Sequence, residues 1–218
     1  MKLHHIALAT TLAFASIGAS ALDFGSLKLP GKGNGNGDAD IKAFLQTASE
    51  AHQLTTRSAY ALGQALLTKE QMQANQDARD AAAKIADQKE REAAIAKADL
   101  EVQAQLSKLD FEAKANEVAK SDDKKQTAQI GASMYNFVLG MLKDKELVGR
   151  GSSLASSVAS NPMLLAKAGE VKGVLASLSG QMGNMGTIAS GLMKMSGKIK
   201  AVPLPTSATD KPAIVEGD

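Results

Sequence analysis

At 218 residues, with 25 Lys and Arg against 23 Asp and Glu, the chain is close to neutral and long enough for one sizeable domain. Near-neutrality, an aromatic content of 3% and the absence of Trp leave neither the basic surface nor the stacking platforms of a nucleic-acid binder. The absence of Cys excludes disulfides, a thiol nucleophile, thiolate metal ligation and lipoprotein acylation.

The chain opens MKLHHIALATTLAFASIGASALDF. A positive Lys2, an apolar run from Ile6 to Ile17 and the small residues Ala19, Ser20 and Ala21 predict a secretory signal peptide over residues 1–21. The run is shorter than the ~20 residues a membrane-spanning helix needs. The expected location is therefore periplasmic or secreted, and His4 and His5 would be lost on cleavage. Residues 22–37 read as a Gly-rich linker. LPGKGNGNGD alternates Gly with polar residues, and it lacks the preceding strand and the Gly-Lys-Ser/Thr ending of a phosphate loop.

A helical bundle is expected over 38–200. Asp38 or Asp40 would cap a first helix with a stripe of Ile41, Leu45, Ala48, His52, Thr55, Ala59, Leu62 and Leu66 at helical spacing. Thr68 to Gln71 (TKEQ) spells a capping box that starts or kinks a second helix, expected to run to about Lys120. That segment has no Gly or Pro, and Ile95, Val102 and Leu109 recur every seven residues as a coiled-coil-like seam. Before Ile95 the stripe thins to Ala78, Ala82 and Ile85. Residues 38–120 thus read as a long polar helical hairpin or arm.

Ser121 to Lys125 (SDDKK) offers N-cap chemistry for a third helix bearing Ile130, Met134, Phe137, Val138 and Met141, expected to end near Gly149 to Ser153. Composition then shifts, so that 121–200 forms a Gly/Met/Ala-rich half. Asn161 and Pro162 signal a helix start, Gly180 suits its end, and a last helix would carry Met182, Met185, Ile188, Ala189, Leu192 and Ile199. Residues 201–218 read as a disordered tail. No alternating strand pattern occurs. The expected fold is all-α, an extended bundle of four to six helices with a long coiled-coil-like helix and disordered termini.

Catalytic chemistry finds no foothold. His52 is the one histidine of the mature chain and lies on an apolar stripe. No serine has a nucleophile elbow, and no Glu-x-x-His or His-x-x-x-His pair exists. The thioethers Met182, Met185, Met193 and Met195 are the metal candidates, of a kind suited to Cu(I), but no His or Cys accompanies them and Met equally fills irregular cores. No other cofactor is implied.

Glycines in the last two helical segments each cost about 1 kcal/mol of helix stability against Ala. Gly183, Gly186 and Gly191 are therefore expected to gain from close backbone approach. The sequence reads as an exported, non-enzymatic interaction or scaffold protein. It would act by helix packing with itself or an envelope partner, through Ile95, Val102, Leu109 and these glycines. The alternatives are a membrane-active or holdase-type protein using apolar helix faces, with peripheral rather than spanning lipid contact, and a Met-based copper binder.

Overall fold

The computed structural model describes residues 37–160, 164–199 and 203–213, and among them the chain is all-α, with no strand. The signal peptide, nearly all of the Gly-rich linker and the Asn161-Pro162 start signal lie outside the described residues. Six helices follow in order: α1 (Gly37–Leu66), α2 (Lys69–Ala83), α3 (Gln88–Leu106), α4 (Phe111–Ala119), α5 (Lys124–Ala159) and α6 (Leu165–Ile199).

Three long helices, α1, α5 and α6, form the body, with α5 in contact with both others. The expected α1 stripe is the buried face: Ile41, Ala48, Thr55, Ala59, Leu62 and Leu66 are all sequestered, joined by Phe44 and Ala51. Gly140 of α5 lies against Ala51 and Thr55, and Gly151 against Phe44, so α1 and α5 run antiparallel.

Two apolar clusters divide this body along its length. One joins Ala59, Leu62 and Leu66 to Ile130, Met134, Phe137 and Val138 and to Met185 through Ile199. The other joins Ile41, Phe44, Ala48 and Ala51 to Leu147, Ala155 and Val158 and to Ala168, Val171 and Leu178. Between them sits a more polar layer: Thr55 on α1, then Gly140, Lys143 and Asp144 on α5, all buried. Gln181 and Met182, half-buried, stand at the same level of α6.

The single helix expected from Thr68 to Lys120 is instead three. Thr68 does form the capping box, its hydroxyl accepting from Gln71 N at 3.3 Å while Gln71 Oε1 accepts from Thr68 N at 3.0 Å. The chain then turns back at Lys84–Asp87, because the Asp87 carboxylate captures Glu90 N at 2.8 Å and starts α3 afresh. A second break follows at Asp110, which accepts from Glu112 N and Ala113 N, both at 3.0 Å, and starts α4. In both cases a local carboxylate satisfies first-turn N–H groups that a continuous helix would have bonded internally.

The C-terminal half departs in the opposite sense. α5 does not stop near Gly149 to Ser153 but continues to Ala159, and Gly180 is no terminus, since α6 runs unbroken through it. The start of α5 is as expected, with Asp123 accepting from Gln126 N at 2.9 Å.

The expected disordered tail is ordered over 203–213. Asn136 of α5 donates from Nδ2 to Ala213 O at 3.0 Å and accepts from Ala213 N at 2.7 Å. Lys143 Nζ donates to Ala208 O at 2.5 Å. Pro205 is buried, and Leu204 packs on the first apolar cluster. With α1, α6 and this segment all packed on it, α5 buries every residue from Ile130 to Gly140 except the half-exposed Tyr135. A helix apolar on all sides requires such enclosure.

Candidate interaction surface

α6 is sharply two-sided. Ala168, Val171, Leu178, Met185, Ile188, Ala189, Leu192, Met195 and Ile199 face the core. On the opposite side Gly169, Gly173, Ala176, Gly180, Gly183 and Thr187 are all exposed. These positions advance by alternating steps of four and three, so at about 100° per residue they line up as one stripe along the helix. Gly186 is exposed on the stripe's flank.

The close approach expected at the late glycines is therefore absent among the described residues at two of the three positions. A Cβ at Gly183 or Gly186 would meet no atom within 4 Å, and the same holds at Gly169, Gly173, Gly180 and Gly197. Gly191 differs. It continues the stripe one turn beyond Thr187, and there the Phe111 ring of α4 lies so close that a Cβ would overlap it. An ion pair from Lys198 Nζ to Glu112 Oε1 at 2.7 Å holds the same two helices together and keeps the Glu112 carboxyl below the usual carboxylate range. A helix thus already lies across the C-terminal end of the stripe, while the stretch from Gly169 to Thr187 is open.

The seam residues of α3 divide between body and arm. Val102 is buried against α1, where its Cγ1 would stand 3.0 Å from a Cβ at Gly63, and Leu106 is buried beside it. The facing helix for this part of the seam is α1 of the same chain. Leu109 is half-buried on the first apolar cluster, and Ile95 is half-buried on the α2–α3 hairpin. Leu100 stands 41% exposed.

The hairpin is fastened mainly by polar contacts. Asn75 Nδ2 donates to Ala98 O at 2.6 Å, and Arg79 pairs with Asp99 while stacking 5.0 Å above the Tyr60 ring. Burial raises the Asp99 carboxyl above its ordinary value, against the pull of Arg79. Arg91 closes the turn by donating to Ile85 O at 2.9 Å. Toward its tip, from Ala83 to Glu90, every residue but the half-buried Ile85 is exposed.

The methionines do not gather. Met185 and Met195 are core residues, Met182 is half-buried and Met193 is 54% exposed. Met193 and Met195 are separated by about 200° around the helix and do not face one point. His52 is half-buried on α1, and no group of three His, Asp or Glu able to hold a metal occurs among the described residues. No helix among the described residues is long and apolar enough to cross a membrane.

Sequence reasoning missed the buried polar pair Lys143–Asp144. Asp144 is 2% exposed, its Oδ1 accepts no hydrogen bond, and burial pushes its carboxyl up to about 7. Burial also lowers the neighbouring Lys143 ammonium from its ordinary value. In the sequence they are half of the charge run Lys143 to Glu146 (KDKE), whose other two members are not buried, so nothing local singles them out. Comparison with known protein families, curated proteins and solved structures finds no match to this chain.

Proposed function

We propose that the protein is an exported, non-enzymatic helical scaffold that engages a partner helix, from a second copy or another envelope protein, along the outward stripe of α6. The observation that carries this reading is the contrast along the stripe. At Gly191 the missing Cβ admits a helix of the same chain, and from Gly169 to Gly183 equivalent glycines face open space. Each exposed helical glycine costs about 1 kcal/mol relative to Ala, and no contact among the described residues offsets that cost. A second helix laid on the stripe would offset it, because side-chain size at the contact sets how near two helix axes come.

Among the α6 residues whose burial is described, the large apolar side chains are buried or half-buried, with the exception of Met193. What α6 offers outward is backbone and small side chains, which suits close helix packing better than insertion among acyl chains. The scattered methionines support the scaffold reading over copper handling in the same way.

The chain's lack of Cys allows a direct test. A photoreactive side chain at Gly180 or Gly183 is expected to capture a protein or a second copy in envelope preparations, whereas one at Lys120, exposed after α4, is not. Equal capture at the two places, or none at either, contradicts the reading.

A further inference from the structure

Asn136 is 7% exposed, yet both hydrogen-bonding atoms of its amide are spent on one residue outside the helices, Ala213. It accepts from the main-chain N–H of Ala213 and donates to the same residue's carbonyl, as a neighbouring strand would. About two turns further along α5, Lys143 reaches the main-chain carbonyl of Ala208. All three of these hydrogen bonds end on main-chain atoms of the C-terminal segment. The polar side chains of that segment bond within it instead: Asp210 Oδ2 accepts from Thr206 N and Ser207 N, and Ser207 bonds Thr209. Besides these bonds, Leu204 packs on the first apolar cluster, Pro205 is buried, and the Asp210 carboxylate acts electrostatically on Lys143.

This is how a binding site reads a non-helical chain, through its peptide groups, with shape supplied by small and proline residues. Ordering each of the eleven residues 203–213 opposes the docking. Covalent attachment compensates by keeping the segment at high effective concentration. Beneath it lies the face of α5 that carries Asn136 and Lys143, both buried, which release would uncover.

We propose that residues 203–213 are a displaceable occupant of a main-chain-reading face on α5, and that what displaces them is a partner protein presenting a non-helical segment of proline and small residues. The face is separate from the α6 stripe, so this inference goes beyond the scaffold reading and fails or stands independently of it. Asn136 fixes the register of the incoming chain and Lys143 takes a second carbonyl.

The test uses the protein with its segment loosened by two changes confined to that segment, Leu204→Asp and Pro205→Asp. The probe is a fluorescent synthetic peptide of residues 203–213. By anisotropy the loosened protein is expected to bind the peptide at least tenfold more tightly than the unaltered protein does. Asn136→Leu in the loosened background is expected to abolish binding, as is N-methylation of the peptide at Ala213, which removes the N–H that Asn136 accepts. Three results overturn the proposal. One is no binding by a loosened protein that keeps its helical circular dichroism. Another is binding indifferent to Asn136→Leu and to the N-methyl group. The third is loss of helicity on loosening, which would make the segment an integral part of the core.

Discussion

α5 and α6 are nearly equal in length, at 36 and 35 residues, and pack against each other, but their glycines do opposite things. In α5, Gly140 admits Thr55 and the Ala51 carbonyl of α1, and Gly151 admits Phe44 of α1 and Leu175 of α6. Both are buried, and both let three long helices close on one another. In α6, six of the seven glycines from Gly169 to Gly197 have nothing, among the described residues, where a Cβ would stand. A glycine-rich helix is therefore not one kind of object. What decides its meaning is whether another element occupies the space the side chain has left, and in α6, among the described residues, Phe111 does so at Gly191 alone.

The two helices differ equally in charge. α5 buries Lys143 and Asp144, whereas α6 has no ionisable side chain between Lys172 and Lys194. At the polar layer Lys143 of α5 is acted on by Glu146 of the same helix, Glu50 on α1 and Asp210 on the C-terminal segment. None of them offsets the burial of Asp144. Its carboxyl, at about 7 when folded, stands above the ordinary 3.8 of the unfolded chain. The unfolded state thus loses its proton first as pH rises. The stability that the neutral carboxyl confers is complete below about pH 4 and is lost progressively up to about pH 7, in total on the order of 4 kcal/mol. This is the largest effect expected. Chemical denaturation across that window should show the decline, and Asp144→Asn should flatten it, matching the parent at pH 4 and exceeding it at pH 8. Asp99, also raised by burial, adds a slope of the same sign in both proteins, so the difference between them isolates Asp144.

Next come the packed glycines. Gly140→Ala drives a methyl group into Thr55, with the main-chain N of Thr55 at 3.1 Å and the Ala51 carbonyl at 3.2 Å behind it. Backbone cannot swing aside, so a loss of about 1–3 kcal/mol is expected despite the better helix propensity of Ala. Gly151→Ala meets Leu175 and Phe44 side chains, which can shift, and should lose less. Thermal melts of the two variants rank them. The open glycines carry the opposite sign: Gly183→Ala and Gly186→Ala should each raise stability by about 1 kcal/mol, because helix propensity improves and no atom is displaced. Smallest is the arm. Arg79→Ala removes a partly exposed ion pair with Asp99 and a stack on Tyr60, and should cost on the order of 1 kcal/mol, localised by faster amide exchange in α2 and α3.

Much of the body was legible in the sequence because its signals are local and periodic. The α1 stripe, the Thr68 capping box and the Asp123 cap could all be read from residues within a turn or two of one another. The breaks at Asp87 and Asp110 were missed, because Ala-, Glu- and Lys-rich sequence around them favours helix continuation and only the caps speak against it. The reverse error occurred at Gly149 to Ser153 and at Gly180. Glycine there looked like punctuation, but Gly151 is held in a helix by Phe44 and Leu175 from elsewhere in the chain. Order in the C-terminal segment was illegible for the same reason, since Asn136 lies 77 residues from its partner Ala213. At the candidate surface the sequence drew attention to the glycines Gly183, Gly186 and Gly191. What it could not show is that Gly191 alone of the three is covered, and that Val102 is spent on α1.

The most direct measurement is the paired stability and association state of the Gly180→Ala, Gly183→Ala, Gly186→Ala variant. Reservation of the open stripe for a partner helix predicts a higher melting temperature together with self-association or partner capture weakened at least tenfold in sedimentation velocity and pull-down. A variant that melts lower than the parent, or that melts higher and associates as before, would contradict it.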